Sequence, residues 1–176
     1  MIKPLIFIKQ APKVATPQDM AALESKLGVK LPPTFYEFCF RWNGGYASRE
    51  NEIYAVPSSY TEFYKNMYGA RKTDSAYVEV DIFLGATEDF KQCNLLKEYY
   101  LYRGAERGFI PITNNLEGNR AVLRADSPMG LVYWIDSDTW ERPEDDSQEA
   151  RPILMPIADN LESFYNGLMA DPARDD

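Results

Sequence analysis

Residues 27–45, LGVKLPPTFYEFCFRWNGG, constrain this chain more tightly than any other stretch. Leu31 and Pro32 cannot extend a preceding helix, whereas Pro33 or Thr34 can start a new one. Phe35, Phe38, Cys39 and Trp42 then fall on one face at three- and four-residue steps, with Tyr36 and Phe40 on an adjacent one. A helix apolar around most of its circumference is expected at the centre of a fold. Asn43, Gly44 and Gly45 tolerate positive φ, so they stop the helix and turn the chain. A glycine-rich phosphate cradle precedes a helix, and this one follows it, so the glycines read as punctuation.

The same signals place the other elements. In ATPQDMAALESKLG, Thr16 can cap, Pro17 suits the first helical position, and Met20, Leu23 and Leu27 form one apolar face ending at Gly28. YVEVDIFLG alternates, with Val78, Val80, Ile82 and Leu84 on one face and Tyr77, Glu79, Asp81 and Phe83 on the other, which predicts a half-buried strand. A third long helix is expected from Thr87 to Gly104, with Phe90, Cys93, Leu96 or Lys97, and Tyr100 inside. GFIPI, NRAVLRA and LVYWID then switch to period two and predict antiparallel hairpins, with RPILMPI as a last strand. ADNLESFYNGL closes the pattern as a helix with Asp159 and Glu162 placed for capping and Leu161, Phe164, Tyr165 and Leu168 buried. Expected is one α+β domain over residues 1–176, an antiparallel sheet of about four to six strands packed with helices. Its core would span about 16–169, with an insertion at 46–76 and a frayed tail at 170–176.

Composition narrows the chemistry. The chain has no histidine, which removes the usual general base at neutral pH and makes Ser-His-Asp and Cys-His arrangements impossible. A zinc site would need Cys39 and Cys93 plus carboxylates, without supporting spacing, so no metal or cofactor is expected. Both cysteines read as buried free thiols, which suits a reducing, cytoplasmic compartment. No apolar run is long enough to span a bilayer, and the Leu5–Ile8 patch lacks the cleavage site of a signal peptide. The 27 acidic against 19 basic residues give a formal charge of −8, which repels phosphate backbones and disfavours direct nucleic-acid binding. Such a surface attracts a basic protein; it also serves plain solubility.

Four blocks together resemble the SMI1/KNR4 family of the SUKH superfamily. They are LGVKLPPTFYEFCFRWNGG, FIPI at 109–112, GLVYWIDSDT at 130–139 and PIADNLESFYNGL at 156–168. They come in the family order and span roughly 20–168. Where members often carry an Asp and a Gly in the turn after the IPI strand, this chain has Asn114, Asn115 and Gly118. The resemblance implies a non-enzymatic binder whose bacterial members mostly block a cognate polymorphic toxin, often a nuclease. Eukaryotic relatives act as regulatory scaffolds.

The densest acidic stretch, DSDTWERPEDDSQE, carries Asp136, Asp138, Glu141, Glu144, Asp145, Asp146 and Glu149 around Trp140. Carboxylates around an aromatic anchor suit a basic protein partner, here the toxin. A solvated loop without a partner gives the same pattern. The alternative surface is Tyr60, Tyr64 and Tyr68 in SSYTEFYKNMYG, an apolar patch that a scaffold with several weaker partners would use. Glu79 with Asp81, or Cys93 with Asp89, can be drawn as catalytic pairs, but strand alternation and the lack of a base speak against both. Leu27, Phe35, Phe38, Trp42, Gly44, Ile110, Pro111, Trp134 and Phe164 are the expected structural core.

Overall fold

A computed structural model describes residues 1–57, 60, 77–87, 91–102, 108–124, 130–137, 140–141 and 151–170. Helix α1, Pro17–Leu27, begins with a reciprocal capping box: Asp19 N donates to the Thr16 hydroxyl at 3.2 Å, and Thr16 N donates to Asp19 Oδ2 at 2.8 Å. Met20, Leu23 and Leu27 are buried, and Glu24 is buried beside them. Its carboxylate accepts from Leu31 N at 2.8 Å and from the Lys30 ammonium, tying α1 to the chain that enters α2. Burial pushes Glu24 up, yet the bonds from Lys30, Tyr36 and Leu31 together hold it below the usual glutamate range.

Helix α2, Pro33–Arg41, sends Phe35, Phe38 and Cys39 fully into the core, with Trp42 buried at its C-terminus. Burial all round, which the aromatic run predicts, is not what the fold delivers. Tyr36 is half-buried and Phe40 is 39% exposed; their rings meet edge-on at 5.9 Å and cover each other on the outer side. Phe38 is the hub of the core. Its ring stacks on Tyr165 at 5.0 Å and lies about 6 Å from Phe35, Trp42 and Phe83. The Tyr165 hydroxyl, fully buried there, has no hydrogen-bond partner among the described residues.

The strands are β1 (Phe7–Gln10), β2 (Gly45–Ala47), β3 (Ile53–Ala55), β4 (Tyr77–Glu79), β5 (Ile82–Phe83), β6 (Phe109–Pro111) and β7 (Thr113–Asn114). They continue with β8 (Arg120–Arg124), β9 (Val132–Ile135), β10 (Trp140–Glu141), β11 (Arg151–Pro152), β12 (Met155–Ala158) and β13 (Leu168–Met169). Three antiparallel sheets run in the orders β1-β2-β5-β7, β12-β9-β8-β6 and β13-β3-β4, with β10–β11 as a separate ribbon. The architecture is α+β, and the expected meander from 109 to 158 is present as β6-β8-β9-β12. Ile110, Pro111 and Trp134 are buried in it.

The alternation over 77–84 does not produce one strand. Val80 N donates to Glu52 O at 2.7 Å, and the next residue's amide, Asp81 N, donates to Asn114 O at 3.2 Å. The chain therefore changes sheets between β4 and β5, and the change of partners breaks the alternation: Phe83 and Leu84 are both fully buried while Ile82 is half-buried. Strands β1, β2, β3 and β13 also lack a legible sequence signal. Tyr46 to Val56, within the segment read as an insertion, supplies residues to two sheets and to the core. Met169, the last residue of the expected core, pairs with Ile53.

The third helix is shorter than its periodicity predicts. A 3-10 turn at Lys91–Cys93 precedes helix α3, Leu95–Leu101, whose cap is Asn94: its Oδ1 accepts from Lys97 N at 2.7 Å. The reset turns Leu95, Leu96, Glu98 and Tyr99 inward and leaves Lys97 exposed and Tyr100 58% exposed. Its cause is a junction at Gly85, which donates to Cys93 O at 2.6 Å and accepts from Leu95 N at 3.0 Å. Thr87, the expected cap, instead accepts from Asn43 Nδ2 at 2.7 Å. Asn43 sits at φ 54 and Gly44 at φ 94, as the turn after α2 requires. Helix α4, Leu161–Gly167, buries Leu161, Phe164 and Tyr165, and Leu168 follows them into the core. Asn160 caps it in place of Asp159, its Oδ1 accepting from Ser163 N at 2.8 Å.

Candidate partner interface

The acidic stretch leaves the end of β9 beside the turn that joins β7 to β8. Asp136 is half-buried, and Ser137 fastens it: Ser137 N donates to Asn119 Oδ1 at 2.8 Å and its hydroxyl donates to Glu117 O at 3.2 Å. Trp140 pairs with Pro152 and Glu141 with Arg151 along the β10–β11 ribbon, so the stretch departs and returns through one narrow neck. Only the backbones of Trp140 and Glu141 are described; Asp138, Glu144, Asp145, Asp146 and Glu149 lie outside the described residues.

The turn at 115–119 is built on Asn115, buried at its base. Its Oδ1 accepts from Glu117 N at 3.1 Å and Asn119 N at 2.8 Å, an arrangement in which a short amide side chain mimics a backbone turn. Gly118, at φ 87, completes it. Leu116 stands 85% exposed at the tip, and its N–H donates to Asp81 Oδ2 at 2.7 Å. The fold thus brings Asp81 to the exposed Leu116–Glu117 tip and anchors Ser137, the neighbour of Asp136, to the same turn. None of these three signals is visible in linear order, because Asp81 comes from the crossing between β4 and β5. The readable clue was NNLEGN, a turn sequence with an apolar residue and a carboxylate at its tip.

A buried polar cluster backs this corner. The Arg120 guanidinium lies 3.2 Å from the centre of the Tyr102 ring, and donates from Nε to Gly118 O at 3.1 Å. Glu98, on the inner face of α3, accepts from Asn114 Nδ2 at 3.4 Å. Burial pushes Glu98 above the usual glutamate range, against the opposing pull of Lys97 and Arg120. A carboxyl raised in this way costs stability once the unfolded chain ionises, so its penalty is absent below the usual glutamate range, grows as pH rises from that range towards the folded value and is complete above it. Glu98→Gln removes the ionisation. Urea denaturation at pH 4 and pH 7 is expected to show the variant gaining stability relative to the parent at the higher pH; an unchanged difference would disprove the buried-carboxyl account.

The other sequence candidates occupy different places. Tyr60 is half-buried against the main core and donates its hydroxyl to Asp159, the bond that chiefly pushes it up to about 12. Tyr64 and Tyr68 lie outside the described residues, as does Asp89. Glu79 is exposed on β4 and Asp81 lies beyond the sheet crossing, its carboxylate bonded to Leu116 N. Burial pushes the Cys93 thiol up to about 12 and raises Cys39 as well, the opposite of what a nucleophile needs. Among the described residues no group of three or more His, Cys, Asp or Glu is placed to hold a metal ion, and no helix is long and apolar enough to cross a membrane.

The family model of the SMI1 / KNR4 family (SUKH-1) matches residues 14–167. The chain belongs to the SMI1/KNR4 family. The match begins just before the Thr16 cap and ends with α4, so this SMI1/KNR4 chain carries β1 and β13 outside the matched span. The turn at 115–119, the base of the acidic ribbon and the buried Glu98–Arg120 cluster all lie within it. No curated protein and no solved structure gives a significant match to the chain.

Proposed function

We infer that this SMI1/KNR4 chain is an immunity-type protein: a non-enzymatic, cytoplasmic module that binds and neutralises a cognate protein toxin. The observation that carries the reading is the acidic corner: the exposed Leu116 donates its N–H to Asp81, Glu117 follows it in the chain, and Ser137, next to Asp136, bonds the Glu117 carbonyl at the root of the 136–149 stretch. An apolar anchor with carboxylates beside it fits a basic protein, and many nuclease toxins are basic because they bind polyanions. The chain's net charge of −8 speeds that encounter over long range.

The test is co-expression with the product of the adjacent upstream reading frame. Rescue of a lethal neighbour, with a one-to-one complex whose association slows as salt rises, is the expected result. Leu116→Asp combined with Glu117→Lys should weaken that complex by about tenfold or more, since both side chains are exposed and neither supports the core. A neighbour that is harmless, or protection that survives these changes together with neutralisation of 136–149, would end the reading. The same experiment with Tyr64→Ser and Tyr68→Ser tells whether the tyrosine segment is needed instead.

A further inference from the structure

Leu116 stands 85% exposed at the tip of the 115–119 turn, yet the backbone beneath it is fastened atom by atom. Each N–H from Asn115 to Asn119 has an acceptor. Asn115 N donates to Asn119 O at 2.9 Å and Gly118 N to Asn115 O at 3.1 Å, which closes the turn on itself. Asn115 Oδ1 accepts from the amides of Glu117 and Asn119, and Asp81 Oδ2 accepts from that of Leu116. Carbonyls are held as well: the Ser137 hydroxyl donates to Glu117 O, and the Arg120 guanidinium donates to Gly118 O.

The groups that hold the turn are fixed in their own right. Asp81 N donates to Asn114 O at 3.2 Å and Asp81 O accepts from Ala47 N at 2.8 Å, so β7 and β2 both grip its backbone. Arg120 is buried, and its guanidinium rests on the Tyr102 ring. Asn119 Oδ1 accepts from Ser137 N, while Asn119 Nδ2 donates to Glu117 Oε2 at 3.4 Å and so orients the exposed carboxylate beside the leucine. Holding a solvent-exposed leucine in place gains no apolar burial in the isolated chain, while ordering the turn costs conformational entropy. In a partner's pocket the same leucine would be buried, and the turn would have no ordering entropy left to lose on binding.

We propose that the 115–119 turn is a rigid finger whose Leu116 side chain enters an apolar pocket of a protein partner, with a cation at the pocket rim to meet Glu117. Asp81, Asn115 and Arg120 are positioning residues: they hold the finger through its backbone and do not touch the partner. The assignment rests on the reading that a basic protein binds this corner, and it names what that protein must present. One leucine is too little apolar surface for a lipid bilayer, and the carboxylate beside it repels phosphates.

Rigidity is measured first, by ¹⁵N relaxation on the full chain. Order parameters of about 0.85, those of rigid backbone, are expected at 115–119, and values below about 0.6 would overturn the proposal. Asp81→Ala should speed hydrogen exchange at the Leu116 N–H by about tenfold or more, and Asp81→Asn, which keeps an acceptor oxygen, should restore it. Exchange indifferent to both would strike out the positioning role of Asp81. The pocket is then mimicked by β-cyclodextrin with ammonium groups on its rim, the carboxylate-rimmed ring serving as control. Expected are amide shifts at 115–119 that weaken as salt rises, vanish in Leu116→Ser, shrink in Asp81→Ala and return in Asp81→Asn. No shift at the turn, equal binding of the control, or shifts that survive Leu116→Ser would each overturn the docking. Neither measurement uses a toxin, so a failure here is separate from a failure of the co-expression test.

Discussion

Phe38→Ala is expected to lower the unfolding free energy by about 3–5 kcal/mol. The ring is fully buried and touches the core from four directions, through Phe35, Trp42, Phe83 and Tyr165. Because those neighbours belong to α2, β5 and α4, they cannot collapse together into the space it leaves. A domain of this size is stable by roughly 5–15 kcal/mol, so the variant would sit near the edge of folding. The matched control is Phe40→Ala on the same helix. Phe40 is 39% exposed, and its loss should cost about 1 kcal/mol or less. Urea denaturation of the two decides the matter: equal costs would mean that Phe38 is not the hub described.

Gly85→Ala should be comparably severe, at about 3 kcal/mol or more, for a different reason. A Cβ at Gly85 would lie 2.0 Å from the backbone oxygen of Asn43. That oxygen cannot step aside without moving the Asn43 side chain, which donates to Lys13 O and Thr87 and accepts from Ala86 N at 2.8 Å. It would also loosen the bonds by which Gly85 positions Cys93 and Leu95, and with them the start of α3. Gly28→Ala separates contact from conformation. A Cβ there meets nothing within 4 Å, and only φ 73 opposes it, so a cost of about 1–2 kcal/mol is expected. Thermal denaturation with equal losses at the two glycines would refute the close-approach account.

How much of this was legible depends on whether the signal was local. Thr16, Pro17 and Gly28 announced α1 because caps act through bonds within one turn. The prolines and glycines around α2 did the same, and the period-two runs from 109 to 158 gave the meander. The third helix went wrong at Asn94. Residues 87–104 carry a continuous helical period, but the bonds from Gly85 interrupt it and rotate the inner face by one residue, burying Tyr99 where Tyr100 was expected. The 77–84 run failed for a related reason. Its alternation is real up to Val80, and only the partners it meets, Glu52 on one side and Asn114 on the other, divide it between two sheets.

The acidic corner shows the same boundary. The run from Asp136 to Glu149 was plain in the sequence, as were its charge and its tryptophan. That Asp81 and Glu117 join its root around Leu116 was not, since the three segments are brought together by strand pairing over long separations.

By itself the sequence determined the α+β class, the family, the aromatic helix at the centre, the acidic surface and the absence of histidine. The family follows from four sequence blocks in their order, and the rest from caps, periodicity and composition, which are properties of neighbouring residues. Only the tertiary structure decided where the chain changes sheets, which face of α3 turns inward, and which residues flank the acidic stretch. Each of these depends on contacts between residues far apart in the chain, and a pattern of neighbours carries no record of them.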